Sequence, residues 1–139
     1  MGVRFLSVKI NEQTWTQIST KLKDAEPLKV LRELVDYVAE RLKSRIDEVK
    51  SSRDAIAFLS KGKEFLTINV TRINLRIYFQ PSSGALFGKD EKFAVEKISL
   101  WEGSFQKATG KYRALTAWVS KEEHFPGIKI MIDAIPLSQ

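Results

Sequence analysis

Residues 55–79 read AIAFLSKGKEFLTINVTRINLRIYF. Ala55 to Ser60 is a short apolar run that ends at Lys61-Gly62-Lys63, the chemistry of a compact turn. Glu64 to Val70 follows, with Leu66, Ile68 and Val70 at alternate positions, and Thr71-Arg72-Ile73-Asn74 turns the chain again. Leu75, Ile77 and Phe79 then alternate with Arg76 and Tyr78. A period of two sends one set to a core and the other to the opposite face of a sheet. Three strands joined by short turns form an antiparallel meander, and the fold class is set by what packs against it.

Upstream the period changes. Leu31, Leu34, Val35, Val38, Leu42, Ile46 and Val49 recur at helical spacing, while Lys29, Arg32, Glu33, Asp36, Glu40, Lys43 and Asp47 fall mostly off that stripe. The spacing predicts a long amphipathic helix from about Pro27 to Val49, laid on the apolar sheet face. Trp15, Ile18 and Leu22 mark a shorter helix over Glu12 to Lys23, with Asn11 as its cap. Ile10 and Trp15 have the spacing of a hydrophobic staple, and Val3 to Ile10 reads as a strand.

Downstream, Gln80 to Lys92 is expected to be the main irregular loop, and Phe93 to Leu100 a strand or an irregular edge. Lys111 to Val119 is a strand, with Leu115, Ala117 and Val119 on one face and Tyr112, Thr116 and Trp118 on the other. Ser120 and Glu123 have capping-box spacing, Pro126 restricts the helix that follows, and Ile128 to Ile135 reads as a short closing helix. The expectation is one α+β domain over residues 1–139. Its antiparallel sheet of about four to five strands carries all helices on one face.

Composition narrows the chemistry. A hydrophobic fraction of 43% and a charged fraction of 29% suit a chain that builds its own core. With no Cys and one His, disulfides, thiolate metal sites and cysteine nucleophiles are excluded, and no metal site or cofactor is expected. The net charge is +6, shared evenly, since residues 1–53 and residues 54–139 each carry +3. That surplus suits an acidic partner such as nucleic acid, and equally an ordinary solvated surface. No stretch approaches the roughly 18 apolar residues of a spanning helix, so no membrane partner is expected. Met1 to Ser7 lacks a basic region followed by a long apolar run, and Leu6 stands where myristoylation wants Ser or Thr. A cytoplasmic protein is the expectation.

The order of elements resembles a known family. Ala55-Ile56-Ala57-Phe58, then Lys63-Glu64-Phe65-Leu66-Thr67-Ile68, then Leu75-Arg76-Ile77-Tyr78-Phe79 are followed by a turn region, a strand at Ala114 to Ser120 and a short closing helix. Over roughly residues 28–135 this is similar to a domain-of-unknown-function family found fused to predicted restriction-type nucleases, whose members are sometimes labelled "predicted transport protein". The family has no assigned catalytic residues. The resemblance implies nucleic-acid work or defence-associated regulation. The family's Gly-x-Gly-like turn before the late strand is reduced here to Thr109-Gly110.

No catalytic constellation is complete. A restriction-type nuclease needs an Asp and then Glu-x-Lys on the next strand to hold a divalent metal. Asp54 and Glu64 lie suitably, but Phe65 and Leu66 follow Glu64 and the lysine is missing. A degenerate metal-dependent nuclease is therefore only a second alternative. His124 could serve a triad with Ser120 and Glu123, yet no nucleophile elbow exists and Ser120 is better read as a helix cap. Gly84 to Asp90 holds a Gly-Lys pair at the wrong spacing for a phosphate loop.

What remains is a basic, aromatic strand surface. Lys61, Lys63, Arg72, Arg76, Tyr78, Lys107, Lys111, Tyr112 and Arg113 fall on the meander, its turns and the late strand. Arginine pairs with phosphate and tyrosine stacks on bases, so these are the expected contacts to DNA or RNA in a binding module without catalysis. A polar outer sheet face would carry the same residue types. Phe87, Trp101 and Phe105, with Leu86, are large apolar residues placed in loops, which points alternatively to a protein partner or a second copy of the chain.

Overall fold

The computed structural model of the chain describes residues 10–80, 105–107 and 113–137. Helix α1 spans Glu12–Lys21, and α2 spans Ala25–Arg41. Six strands follow: β1 (Glu48–Ser51), β2 (Ala55–Ser60), β3 (Lys63–Val70), β4 (Leu75–Phe79), β5 (Phe105–Lys107) and β6 (Arg113–Val119). A 3-10 turn, Glu122–His124, leads into α3 (Phe125–Asp133). The fold is α+β. Its sheet is antiparallel, with strand order β1-β2-β3-β4-β6-β5.

The meander forms as its alternation requires. Ile56 and Phe58, Leu66, Ile68 and Val70, Leu75, Ile77 and Phe79, and Ala117 and Val119 of β6 all face one core. The helices close that same core with Trp15, Ile18, Val30, Leu31, Leu34, Val35, Val38, Ile128, Met131 and Ile132. One break in alternation has a local cause. The β2–β3 register shifts between Phe58 and Leu59, leaving Phe65 as an extra residue between Glu64 and Leu66. This bulge lets Phe65 and Leu66, adjacent in sequence, both be buried.

The turns account for the register. Lys61 and Gly62 join β2 to β3 with φ of 54° and 81°, the conformation of a two-residue hairpin whose twist matches the flanking strands. An L side chain at Gly62 would cost about 1–2 kcal/mol, from backbone conformation alone, because nothing lies within 4 Å of the added carbon. The Lys61 amide donates to Asp47 at 2.6 Å. At the other end of β3, the Thr71 hydroxyl accepts from the amides of Ile73 at 3.2 Å and Asn74 at 2.9 Å, holding the β3–β4 turn closed.

Asn11 caps α1, its side chain accepting from the Thr14 amide at 2.7 Å. The second helix differs from expectation. It begins at Ala25 and ends at Arg41 rather than at Val49, a length of 17 residues. Leu42 to Arg45 turn the chain, Ile46 is buried from the turn, and Val49 reaches the core from β1. Among the described residues the sheet accordingly has six strands, one more than the expected upper number. The closing helix starts earlier, at Phe125, with Pro126 in its first turn where an amide donor is not needed. The capping-box reading of Ser120 and Glu123 is also corrected. The imidazole Nδ1 of His124 accepts from the Ser120 amide at 3.1 Å and the Lys121 amide at 3.3 Å. The strand expected over Val3 to Ile10, the loop over Gln80 to Lys92 and the segment Phe93 to Leu100 lie outside the described residues, apart from Ile10 and Gln80. No described helix is long and apolar enough to cross a membrane.

Two links tie the helical layer together. Tyr37 donates to the Asp133 carboxylate, which also holds Arg41 at 3.0 Å, so α2 and α3 share one anchor. Just past α2, Arg45 is 4% exposed, lies 4.9 Å from the Phe65 ring centroid and donates to the Pro136 carbonyl at 3.0 Å. Ser44 donates to the Leu137 carbonyl at 3.1 Å beside it.

Candidate functional site

The sheet has one face covered by helices. On its other face, the pairing aligns side chains in rows across the strands. One row runs Ala55, Asn69, Arg76, Trp118, and the next runs Lys50, Ala57, Thr67, Tyr78. The Arg76 guanidinium lies over the Trp118 ring, 4.2 Å from its centroid. Trp118 is 42% exposed, whereas Arg76 and Tyr78 are half-buried. The Arg76 Nε is buried and has no hydrogen-bond partner among the described residues. Stacking on an indole replaces part of the lost hydration of a guanidinium but leaves its in-plane N–H groups available for an acceptor.

Beside that stack the surface recedes. Ala55 and Ala57 end at their β-carbons, and a groove of about 370 Å³ lies over them, bounded by Lys50, Glu64, Thr67 and Asn69. The Thr67 hydroxyl donates to Glu64 at 2.8 Å. By register the face carries Glu48 and Glu64 as well as Lys50 and Arg76, so it is balanced in charge rather than basic.

Four basic residues gather at one end. The Lys23 amide donates to the Arg72 carbonyl at 3.0 Å, which brings the end of α1 to the β3–β4 turn. The Asp54 carbonyl accepts from the Val70 amide at 2.8 Å, and the Asp54 carboxylate holds Lys21 at 2.7 Å and Arg53 at 3.3 Å. The hydrogen bond from Lys21, with the charges of Lys21 and Arg53, keeps the Asp54 carboxyl below its ordinary range. Lys21 and Arg53 thus flank the Asp54 carboxylate, and Lys23 and Arg72, joined through their backbones, form a basic rim with them at the end of the sheet next to the row that holds Arg76 and Trp118. Lys23 and Arg72 make no ion pair among the described residues.

The residues expected to bind nucleic acid are not gathered at one point. Arg72 and Arg76 fall at the rim end. Lys61 and Lys63 occupy the β2–β3 turn at the opposite end of β3, about 24 Å away at the rise of a strand. Lys107 and Arg113 oppose each other in the β5–β6 register, and Phe105 opposes Leu115. Lys111, Tyr112, Phe87 and Trp101 lie outside the described residues. Asp54 and Glu64 are not brought together either. Glu64 is level with Leu59, about 17 Å along the sheet from Asp54. Among the described residues no group of three or more His, Asp and Glu side chains is placed to hold a metal ion. His124 meets backbone amides rather than the Ser120 hydroxyl.

Three features escape the linear reading. Trp118 joins Arg76 only through the β4–β6 register, which spans an intervening stretch of chain. Lys21, Lys23 and Arg53 join Arg72 only because α1 ends against a turn. The groove exists because alanines, which carry no sequence signal of their own, stand side by side. Comparison with family models, with curated proteins and with solved structures finds no match to the chain.

Proposed function

We propose that the chain is a binding module without catalysis that meets single-stranded nucleic acid on the sheet face opposite the described helices. The Arg76–Trp118 stack carries this reading: a half-exposed indole offers a ring for a base, and the guanidinium above it retains donors for phosphate. The rim of Lys21, Lys23, Arg53 and Arg72 adds the long-range attraction that the balanced face lacks. A role beside nucleases or in defence is consistent with the family resemblance of the strand order, and a cytoplasmic location is consistent with such a partner.

A second reading has its own observation. Ile73, 61% exposed in the β3–β4 turn, stands at the same end as Trp118 and would suit a protein partner or a second copy of the chain.

Fluorescence anisotropy with a labelled 12-nucleotide DNA strand at two salt concentrations separates these. Binding should weaken with salt at a log–log slope of about −0.7 per neutralised phosphate. Trp118→Ala should weaken it by roughly fivefold to a hundredfold, the range of one lost base stack, without lowering the melting temperature by more than a few degrees. Arg72→Ala should reduce the salt slope instead. Absence of binding to DNA and RNA strands at low salt, together with a self-association that Ile73→Ser abolishes, would favour the second reading.

A further inference from the structure

We propose that the groove over Ala55 and Ala57 is a nucleobase pocket, in which one unpaired base lies against the Asn69 amide while Arg76 takes the adjoining phosphate. The inference rests on the nucleic-acid reading of this face and adds where a base goes and why a duplex is refused.

Shape comes first. Ala55 and Ala57 are paired across the ladder with Asn69 and Thr67, and Ala57 with Lys50, so a short floor lies between longer walls. At about 370 Å³ the space falls within the ordinary range of small-ligand sites. Chemistry selects the occupant. Glu64, anchored by Thr67, lies at one end of the groove and Lys50 at its side, so the interior does not favour a phosphate. An uncharged planar group with both donors and acceptors fits better. The Asn69 side chain is half-buried, lines the groove and makes no side-chain hydrogen bond among the described residues. Its amide offers one acceptor and two donors in a plane, the pattern that pairs with the edge of a base.

Asn69 and Arg76 are directly opposed in the β3–β4 register, and Trp118 is opposed to Arg76. The pocket, the guanidinium and the indole therefore lie in one row across neighbouring strands, at a spacing of about 4.8 Å per strand. Arg76 stands between the two base-binding surfaces, opposed to Asn69 on one side and Trp118 on the other. A strand crossing the sheet along this row would place a phosphate at Arg76 with one base on Trp118 and another over the alanines. Paired bases present neither a free face nor a free edge, so a duplex fits neither surface.

The test compares a labelled 12-nucleotide DNA strand with an abasic strand of equal length at low salt, using the whole chain. Asn69→Leu and Ala57→Leu, each checked for an unchanged circular dichroism spectrum, should bind the base-bearing strand at least fivefold more weakly and the abasic strand as the wild type does. Trp118→Ala should likewise lose base-dependent affinity. Arg76→Ala should weaken both strands. Groove variants that match the wild type on both strands, while Trp118→Ala and Arg76→Ala lose affinity, would overturn the pocket and leave the interface standing. A wild-type chain that binds neither strand would overturn both. If Ala57→Leu fails to fold, Asn69→Leu decides alone.

Discussion

Phe58→Ala should lower the stability of the domain by about 3–5 kcal/mol, the range for a fully buried phenylalanine. Phe58 sits in the middle of β2, opposite Leu66 on one side and Val49 on the other. It belongs to the cluster that both the sheet and the helices contribute to, so no one element can shift to refill the space. Domains of this kind typically hold about 5–15 kcal/mol in total. The loss is then about a fifth or more of what keeps the chain folded, and a fall of about 10–20 °C in melting temperature is expected. Urea denaturation with a two-state fit is the direct measurement. A loss below about 1 kcal/mol in a variant with an unchanged m-value would place Phe58 outside the packed interior and would contradict the sheet-and-helix core. Leu34→Ala, on α2, tests the same core from the opposite layer and should cost about 2–5 kcal/mol.

Arg45→Ala should cost about 2–3 kcal/mol, a large effect for a basic residue. Three losses combine. The aliphatic stem and the guanidinium plane leave the Phe65 ring, and a space opens below it. The Pro136 carbonyl loses the donor at 3.0 Å. Of the two side-chain hydrogen bonds that hold Pro136 and Leu137 beyond the end of α2 among the described residues, the one from Ser44 then remains. Arg45→Met separates these contributions, because it keeps most of the packing and removes the hydrogen bond. It should recover roughly half of the loss. Equal damage from both substitutions would mean that packing on Phe65 contributes little. Burial also pulls the Arg45 guanidinium down from its ordinary value, in keeping with a cation held in the interior for its geometry.

The meander was legible because its residues report their own surroundings. Leu75, Ile77 and Phe79 are buried, and Arg76 and Tyr78 between them are not, which is what strand alternation means. Asn11 was legible as a cap for the same local reason. Periodicity misled where burial outlived the helix. Ile46 and Val49 continue the α2 stripe in spacing, yet Ile46 is buried just after a turn and Val49 is half-buried on a strand. Hydrophobic spacing records which residues meet the core, not the backbone that delivers them. Strand β1, Glu48-Val49-Lys50-Ser51, has a single apolar residue, and an edge strand with three exposed positions leaves no alternation to read. His124 shows a third limit. Ser at a helix start has a known preference, while an imidazole accepting two backbone amides has none, so the sequence points to the serine. The candidate site was half legible. Arg76 and Tyr78 stood on the expected face, but Trp118 and Asn69 reach them only through pairings between distant segments.

Those pairings also set a timetable. Leu75 meets Val119 and Phe79 meets Leu115, so β4 receives its second neighbour only after Gln80 to Ala114 have been added to the chain. At ribosomal rates of about 5–20 residues per second, that interval is roughly 2–7 s. Throughout it, the apolar alternation of β4 presents an unpaired edge, the kind of surface that recruits another nascent chain or a chaperone. Ile128, Met131 and Ile132 are missing from the core for longer still. Chains truncated before Arg113 should be cleaved readily by protease, and chains that extend past Ile135 and have left the ribosome should resist. During synthesis, then, the late pairing of β4 with β6 makes this sheet vulnerable for seconds, although the finished fold hides the same edge completely.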